Sequence, residues 1–241
     1  MSLEQYLDDP ENEITSVFDL PFPPVDLPEA IPHGTETGRV RNLLALEEED
    51  FQIKPLARRL AKICRYGGAS PWFYAVTSHS LLVSKLLENE QGPYAKPGAR
   101  AAFRADDVRD LAYAGLMHDV TEAFGIGDMI SPLKRLKGFE AYNEIEYRIR
   151  EQLVGPFDLI EHELPEVKRA DERAYQLECR YMKGSWPKPN HTKFEPWYPT
   201  DAEHEACLFY LKQEISWRDS ARLFIAAFDR LAPAAVKERC L

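Results

Sequence analysis

The sequence is short of the features that mark several large functional classes. It has four cysteines, Cys64, Cys179, Cys207 and Cys240, and no two share a C-x-x-C spacing. That argues against a zinc ribbon or a redox pair, and the apolar surroundings of Cys64, Cys179 and Cys207 predict reduced core thiols. Positive charge is scarce: 30 Lys and Arg stand against 40 Asp and Glu, a formal net charge of −10. Nucleic-acid polymers are held by lysine and arginine, so a polymer is not an expected partner. A small phosphate-bearing ligand stays open, since a few local cations or a metal ion can hold it. No apolar run approaches the ~20 residues of a membrane span, and the acidic residues 1–10 include no apolar stretch of the secretory kind. The expected setting is the cytoplasm, with no membrane partner. Val, Ile and Thr do not cluster between turn signals as they would in a sheet, and there is no internal repeat or low-complexity tract.

What the chain does have is an apolar content of 44%, enough to bury a core, and apolar residues at helical spacing. Pro55 can open a helix that carries Leu56, Leu60 and Ile63 and ends at Gly67 and Gly68. Further helices are predicted over residues 73–87, 106–123, 139–153, 164–182, 201–213 and 216–231. The fold class is therefore all-α. Residues 1–38 read as an extended arm: Pro10, Pro21, Pro23, Pro24, Pro28 and Pro32 break any helix. Val17, Phe18, Leu20, Phe22, Val25 and Leu27 are too apolar for a disordered tail, so the arm is expected to lie over the domain or over a second subunit. Residues 39–235 form the domain and 236–241 a tail. Residues 184–200 read as a loop whose Trp186 and Trp197 cap the core, in preference to a substrate lid.

The chain holds six histidines, and two lie inside otherwise apolar helices: His79 and His118. Asp119 follows His118 directly, and a charged carboxylate there costs several kcal/mol unless it is paired or coordinated. On a helix, neighbouring residues project about 100° apart, so other helices would have to complete a shell around one ion. His79 and Asp171, each mid-helix with an apolar flank, are suitable partners. Imidazole and carboxylate together suit a first-row transition metal better than Ca²⁺ or Mg²⁺. Glu122, four residues after His118 and three after Asp119, shares their predicted helical face and could orient or deprotonate an attacking water. By itself the His118-Asp119 pair does not separate metal ligands from buried, hydrogen-bonded residues. Arg65 is a forked donor ahead of two glycines, Tyr66 fits either core packing or contact with a sugar, and Lys134 with Arg135 forms a cationic pair after a proline turn.

The segment from His118 through Asp119, Glu122, Gly127 and Asp128 to Pro132 and Lys134 resembles the "HD…E…GD…P-x-K" core of HD-domain deoxynucleotidases. Upstream, residues 63–68 (ICRYGG), 73–76 (FYAV), His79 and Ser80 resemble the "ICRFGG…FYSV…HS" stretch of their phage members, among them dATP triphosphohydrolases of phages that replace adenine with diaminopurine. Downstream, Val167 to Asp171 resembles "VK-x-AD". The resemblance covers residues 37–230 or so, with the motifs in the family order. It implies a single HD-domain helical bundle with His79, His118, Asp119 and Asp171 as metal ligands. It implies Glu122 and Asp128 as catalytic groups, Arg65 and Tyr66 as contacts to phosphate and sugar, Pro132 near the base and Lys134 near the phosphates. The implied cofactor is a divalent transition metal (Zn, Co, Mn, Ni or Fe), with additional Mg or Mn ions as a further option. The implied reaction is hydrolysis of the 5′ phosphate ester of a deoxynucleotide, with dATP favoured as substrate. Two alternatives are a 5′-deoxynucleotidase acting on dNMPs and a non-catalytic nucleotide-binding module. A homo-oligomer is implied, in the host cytoplasm if the protein is phage-encoded. The sequence departs from the family in the longer spacing before Asp128, in Tyr66 where Trp or Phe is commoner, and in Ser78 where Gln or Glu is usual.

Overall fold

The computed structural model describes residues 26–36, 38–90, 105–159, 164–182 and 201–241. In chain order these form a hairpin, β1 (Pro32–Gly34) and β2 (Val40–Asn42), followed by α1 (Ile53–Leu60), α2 (Val76–Glu90) and α3 (Ala105–Met117). Then come α4 (Ser131–Lys134), α5 (Glu140–Phe157), α6 (Pro165–Met182), α7 (Asp201–Leu211), α8 (Trp217–Leu231) and α9 (Ala234–Cys240). Short 3₁₀ turns lie at Glu48–Phe51, Arg65–Gly68 and Val120–Phe124.

α2 organises the packing. From Tyr74 to Ser84 the sequence has no Asp, Glu, Lys or Arg, and every residue is buried. A helix without a charged stripe must be covered on all sides. α3, α6, α7 and α8 do this. Three of the hydroxyls that α2 takes inside find partners close by, whereas the buried Ser80 Oγ has none among the described residues. Thr77 Oγ1 and Ser78 Oγ lie 2.5 Å and 3.1 Å from Ser220 Oγ of α8. Ser84 Oγ donates to the Ala112 carbonyl of α3 at 2.8 Å. α8 presents Ser220, Ala221, Phe224, Ala227, Phe228 and Leu231 to the core at helical spacing, and Phe228 meets the rings of Tyr113 and Phe157.

The all-α expectation holds at the level of class: the described residues are mostly helical. The departures are local. The helix expected to run to Ala123 stops at Met117. His118 Nδ1 donates to the Gly115 carbonyl at 2.7 Å, the oxygen that a continuing helix would offer to the Asp119 N–H. Residues 120–124 then turn as a 3₁₀ helix, closed by Gly125 at φ 89°. His118, Asp119 and Glu122 are thus not on one helical face.

The hairpin was not expected, because three-residue strands are too short to show alternation. Tertiary contacts hold it: Arg59 of α1 donates to the Gly34 carbonyl and pairs with the His33 ring, while Glu36 pairs with Arg58 and Lys62. The residues read as a tail form α9, with Val236 and Cys240 buried. Cys179, Cys207 and Cys240 are buried and Cys64 half-buried, all as thiols. The arm as far as residue 25 and the tryptophan loop at 184–200 lie outside the described residues. Among the described residues no helix is long and apolar enough to cross a membrane.

α2 and α3 meet closely at Gly115. A Cβ there would run into Leu87 Cδ1 and come within 3.3 Å of Val83 Cγ1. Leu87 and Val83 are fully packed, so neither can withdraw without displacing its own neighbours. Gly115→Val is therefore expected to destabilise the protein by about 1–3 kcal/mol, the usual cost of overpacking a core. Urea denaturation of wild type and variant checks this through the midpoint, and an unchanged midpoint would show that the two helices do not depend on a glycine there.

Candidate metal centre

His79 lies in the first turn of α2 and is wholly buried. Its ring is held between two carboxylates of α6. Nδ1 donates to Glu178 Oε1 at 2.7 Å, and Nε2 lies 2.9 Å from Asp171 Oδ1. Asp171 and Glu178 are seven residues apart, two helical turns, so one face of α6 supplies both. His118 comes from the turn after α3, with Nε2 3.0 Å from Asp119 Oδ2. Asp119 Oδ2 is also 3.7 Å from His79 Nε2, and the two imidazole centroids are 5.2 Å apart. One ligand atom from each of His79, His118 and Asp119 falls within 4.8 Å of the others, and this group could hold a metal ion. Asp171 is the more open member, its side chain keeping 39% of its exposure against 0% for His79, so the cluster opens to solvent on that side.

The tautomers of the two histidines follow from their partners. A backbone carbonyl only accepts, so His118 Nδ1 carries the proton toward Gly115; an ionised Glu178 likewise takes a proton from His79 Nδ1. In the neutral rings both Nε2 atoms then present lone pairs to one another and to Asp119. Neither Nε2 is aligned for a hydrogen bond, though both are buried. Lone pairs and carboxylate oxygens crowded this way repel unless positive charge sits among them. Protonation is one source of that charge. Burial and Arg65 oppose it at His79, yet Glu178 and Asp171 prevail and push the ring up to about 10. A metal cation is the other. Nitrogen and oxygen ligands about 2.0–2.2 Å from a transition metal lie roughly 3–3.5 Å from one another. Here the nitrogen–oxygen separations run from 2.9 Å to 3.7 Å. The donor set fits such an ion.

Around this group lie the other residues singled out from the sequence. Arg65 stands in the 3₁₀ turn before α2, and its guanidinium reaches Asp119 Oδ2 at 3.5 Å and Glu178 Oε2 at 3.8 Å. Tyr66 has a left-handed backbone, φ 59°, which costs a non-glycine residue about 1–3 kcal/mol. Gly67 and Gly68 continue at positive φ, which is why glycines follow Arg65-Tyr66. Tyr66 is fastened at both ends. Its N–H donates to Asp128 Oδ2 at 3.3 Å, and its hydroxyl donates to Glu178. Asp128 reaches this contact because Gly125 and Gly127, both at positive φ, turn the segment back on itself.

Glu122 is buried in the 3₁₀ turn, and its Oε2 has no hydrogen-bond partner among the described residues. Burial first, then Asp119 and Asp128, push its carboxyl well above the usual range. Lys134 Nζ donates to both carboxylate oxygens of Glu146, at 2.8 Å and 2.9 Å, and its charge still reaches Asp119 and Glu122. Pro132 stands within α4, but its side chain lies outside the described residues.

Two carboxylates went unnoticed in the sequence. Glu178 is fully buried and accepts from His79, Tyr66 and Tyr74. The available signal was its position seven residues after Asp171, between Leu177 and Cys179. Glu146 neutralises Lys134; a Glu in the half-polar α5 carries no comparable mark.

No family model matches the chain. Over 104 residues, 43% of this chain, it is 32% identical to the "Uncharacterized protein YfdR" of Escherichia coli, and it spans less than half, 46%, of that protein's length. Over 146 residues, 60% of this chain and 67% of the other, it is 31% identical to the "Uncharacterized protein RCAP_rcc00048" of Rhodobacter capsulatus. The chain belongs to the family of that Rhodobacter protein.

Proposed function

We propose that the protein hydrolyses the 5′ phosphate ester of a deoxynucleotide, with dATP the favoured substrate, at a divalent transition metal held by His79, His118, Asp119 and Asp171. The observation that carries the reading is the pair of buried Nε2 atoms, each with its ring proton committed to the opposite nitrogen, converging on Asp119. A metal bound there would supply Lewis acidity toward a phosphoryl oxygen and lower the pKa of an attacking water. The resemblance of the surrounding motifs to HD-domain deoxynucleotidases supplies the substrate class.

The chain's own residues divide the remaining work in this reading. Burial and the carboxylates of Asp119 and Asp128 favour the neutral form of Glu122, whereas the positive charge of a bound metal would favour the ionised form. The unpartnered Oε2 of that ionised form then takes the proton of the attacking water. Arg65 and Lys134 are the cations whose charge most favours the ionised form of Glu122, and they meet the charge of the substrate phosphate. Asp128 holds the backbone of Tyr66, and the Tyr66 ring packs against the sugar. A second reading is a 5′-deoxynucleotidase acting on dNMPs. It is favoured by the pairing of Arg65 and Lys134 with carboxylates of the protein, which leaves little positive charge for a polyphosphate. Incubating the metal-loaded protein with each dNTP, dNMP and ribonucleotide, and identifying both products, separates the two. A protein that binds nucleotides and turns none over would instead be a non-catalytic module.

Three outcomes are expected. The purified protein holds one transition-metal ion per chain by elemental analysis, and Asp171→Ala loses it; full occupancy in that variant would remove Asp171 from the ligand set. Glu122→Gln keeps the metal and binds substrate but turns over at least about a hundredfold more slowly, as removal of a general base does. Metal content and rate measured on one preparation decide this, and near-normal turnover would assign the proton to another group. Finally, dATP is turned over faster than ATP, and Tyr66→Ala narrows the difference. Equal rates on the two nucleotides, unaffected by that substitution, would show that Tyr66 does not sense the 2′ position.

A further inference from the structure

Glu178 is wholly buried, and four groups from two segments converge on its carboxylate. Tyr74 Oη and His79 Nδ1 donate to Oε1 at 2.8 Å and 2.7 Å. The Tyr66 hydroxyl donates to Oε2, and Arg65 Nη2 lies 3.8 Å from the same oxygen. One oxygen therefore serves the first turn of α2 and Tyr74, two residues before that helix, while the other serves the Arg65-Tyr66 turn. That turn holds Tyr66 with its left-handed backbone, which is anchored to Asp128. The demand on Glu178 exceeds what packing needs. A carboxylate inside a core is costly to keep ionised, and a neutral amide of the same size has one acceptor oxygen in place of two.

We propose that Glu178 is a positioning residue that couples the substrate-facing Arg65-Tyr66 turn to the metal ligand His79 through its two oxygens. The inference rests on the metal-centre reading above and adds to it a path between the two halves of the site. A carboxylate accepting from the Nδ1–H of a ligating histidine fixes the ring and makes Nε2 a better donor. The Tyr66 hydroxyl competes for the electron density of that same carboxylate. Whatever orders or releases the turn therefore alters the donor strength of His79, and occupancy of the metal site in turn alters how tightly the turn is held.

The test is Co²⁺ affinity, measured by chelator competition on metal-stripped full-length protein, together with the visible absorption of the bound ion. Wild type is measured first. Failure of wild type to bind Co²⁺ would overturn the metal-centre reading and this inference with it. Given binding, Glu178→Gln is expected to weaken Co²⁺ about 10- to 100-fold and to change the spectrum, with helical content intact by circular dichroism. Tyr66→Phe should act in the opposite direction. With the competing donor gone, Glu178 Oε1 draws more strongly on His79, and Co²⁺ binds about threefold or more tightly. A merely structural role would weaken both variants, or lower their melting temperature with affinity unchanged, and either result overturns the coupling. If Glu178→Gln does not fold, Tyr66→Phe alone decides: tighter Co²⁺ binding supports the proposal, and unchanged or weaker binding refutes it.

Discussion

A buried imidazole clamped between two carboxylates of one helix is the contact on which the site depends. His79 sits on α2, and Asp171 and Glu178 sit two turns apart on α6. The spacing of the carboxylates is set by the helical repeat, so the ring can meet both only if α6 lies against the start of α2 in one register. Removing a histidine from water is unfavourable unless both nitrogens are used, and a carboxylate left unpaired at the same depth is worse. Glu178 satisfies Nδ1, and positive charge at Nε2, from a proton or a metal ion, makes the approach of Asp171 tolerable; through these contacts the two helices are held in register. The apolar surface of α2 provides the driving force for that packing, while the polar cluster provides its register.

The same constraint explains the irregular segments around the cluster. α3 cannot run on past Met117, because His118 takes the carbonyl that would continue it, and this frees Asp119 to face His79 across the gap. The Arg65–Gly68 turn adopts left-handed backbone at three successive residues, an arrangement that persists only where neighbours over-determine it. Here Asp128 holds the backbone and Glu178 holds the hydroxyl. Irregular backbone thus gathers where the chemistry is proposed, and regular helices carry the frame. The charge arrangement is consistent with that division. Burial works against Asp119 and Glu178, yet the neighbouring histidines and Arg65 hold both carboxyls below their ordinary range, whereas Glu122, facing other carboxylates, is driven the opposite way.

Much of this was legible in the sequence, for identifiable reasons. Helices announce themselves through apolar spacing, and α2, α5, α6, α7 and α8 stand close to where that spacing predicted them. His79, His118 and Asp119 stood out because polar residues inside apolar helices demand a partner. The break at Met117 was not legible, since the apolar run continues through Val120, Ala123 and Phe124 while the backbone changes course. The short hairpin was hidden for the opposite reason: it owes its existence to Arg59 and Glu36 contacts and not to strand propensity. Glu178 was hidden because α6 is rich in charged residues, and nothing in composition distinguishes a carboxylate turned inward from its solvated neighbours.

The sequence by itself determined the helical class, the acidic balance and the residues whose chemistry suits a metal ion. These are properties of local pattern: periodicity, charge count and the cost of polar groups in apolar surroundings act over one or two helical turns. The tertiary structure alone decided which nitrogen of each histidine is free, which carboxylates meet them, and that Lys134 is tied to Glu146 while Arg65 turns to Asp119 and Glu178. Most of those outcomes depend on distances between separate segments: Lys134 and Glu146 are 12 residues apart in the chain, Arg65 and Asp119 54, and His79 and Glu178 99. Only the packing of whole helices sets such distances, and there a shift of one helical turn would exchange every partner.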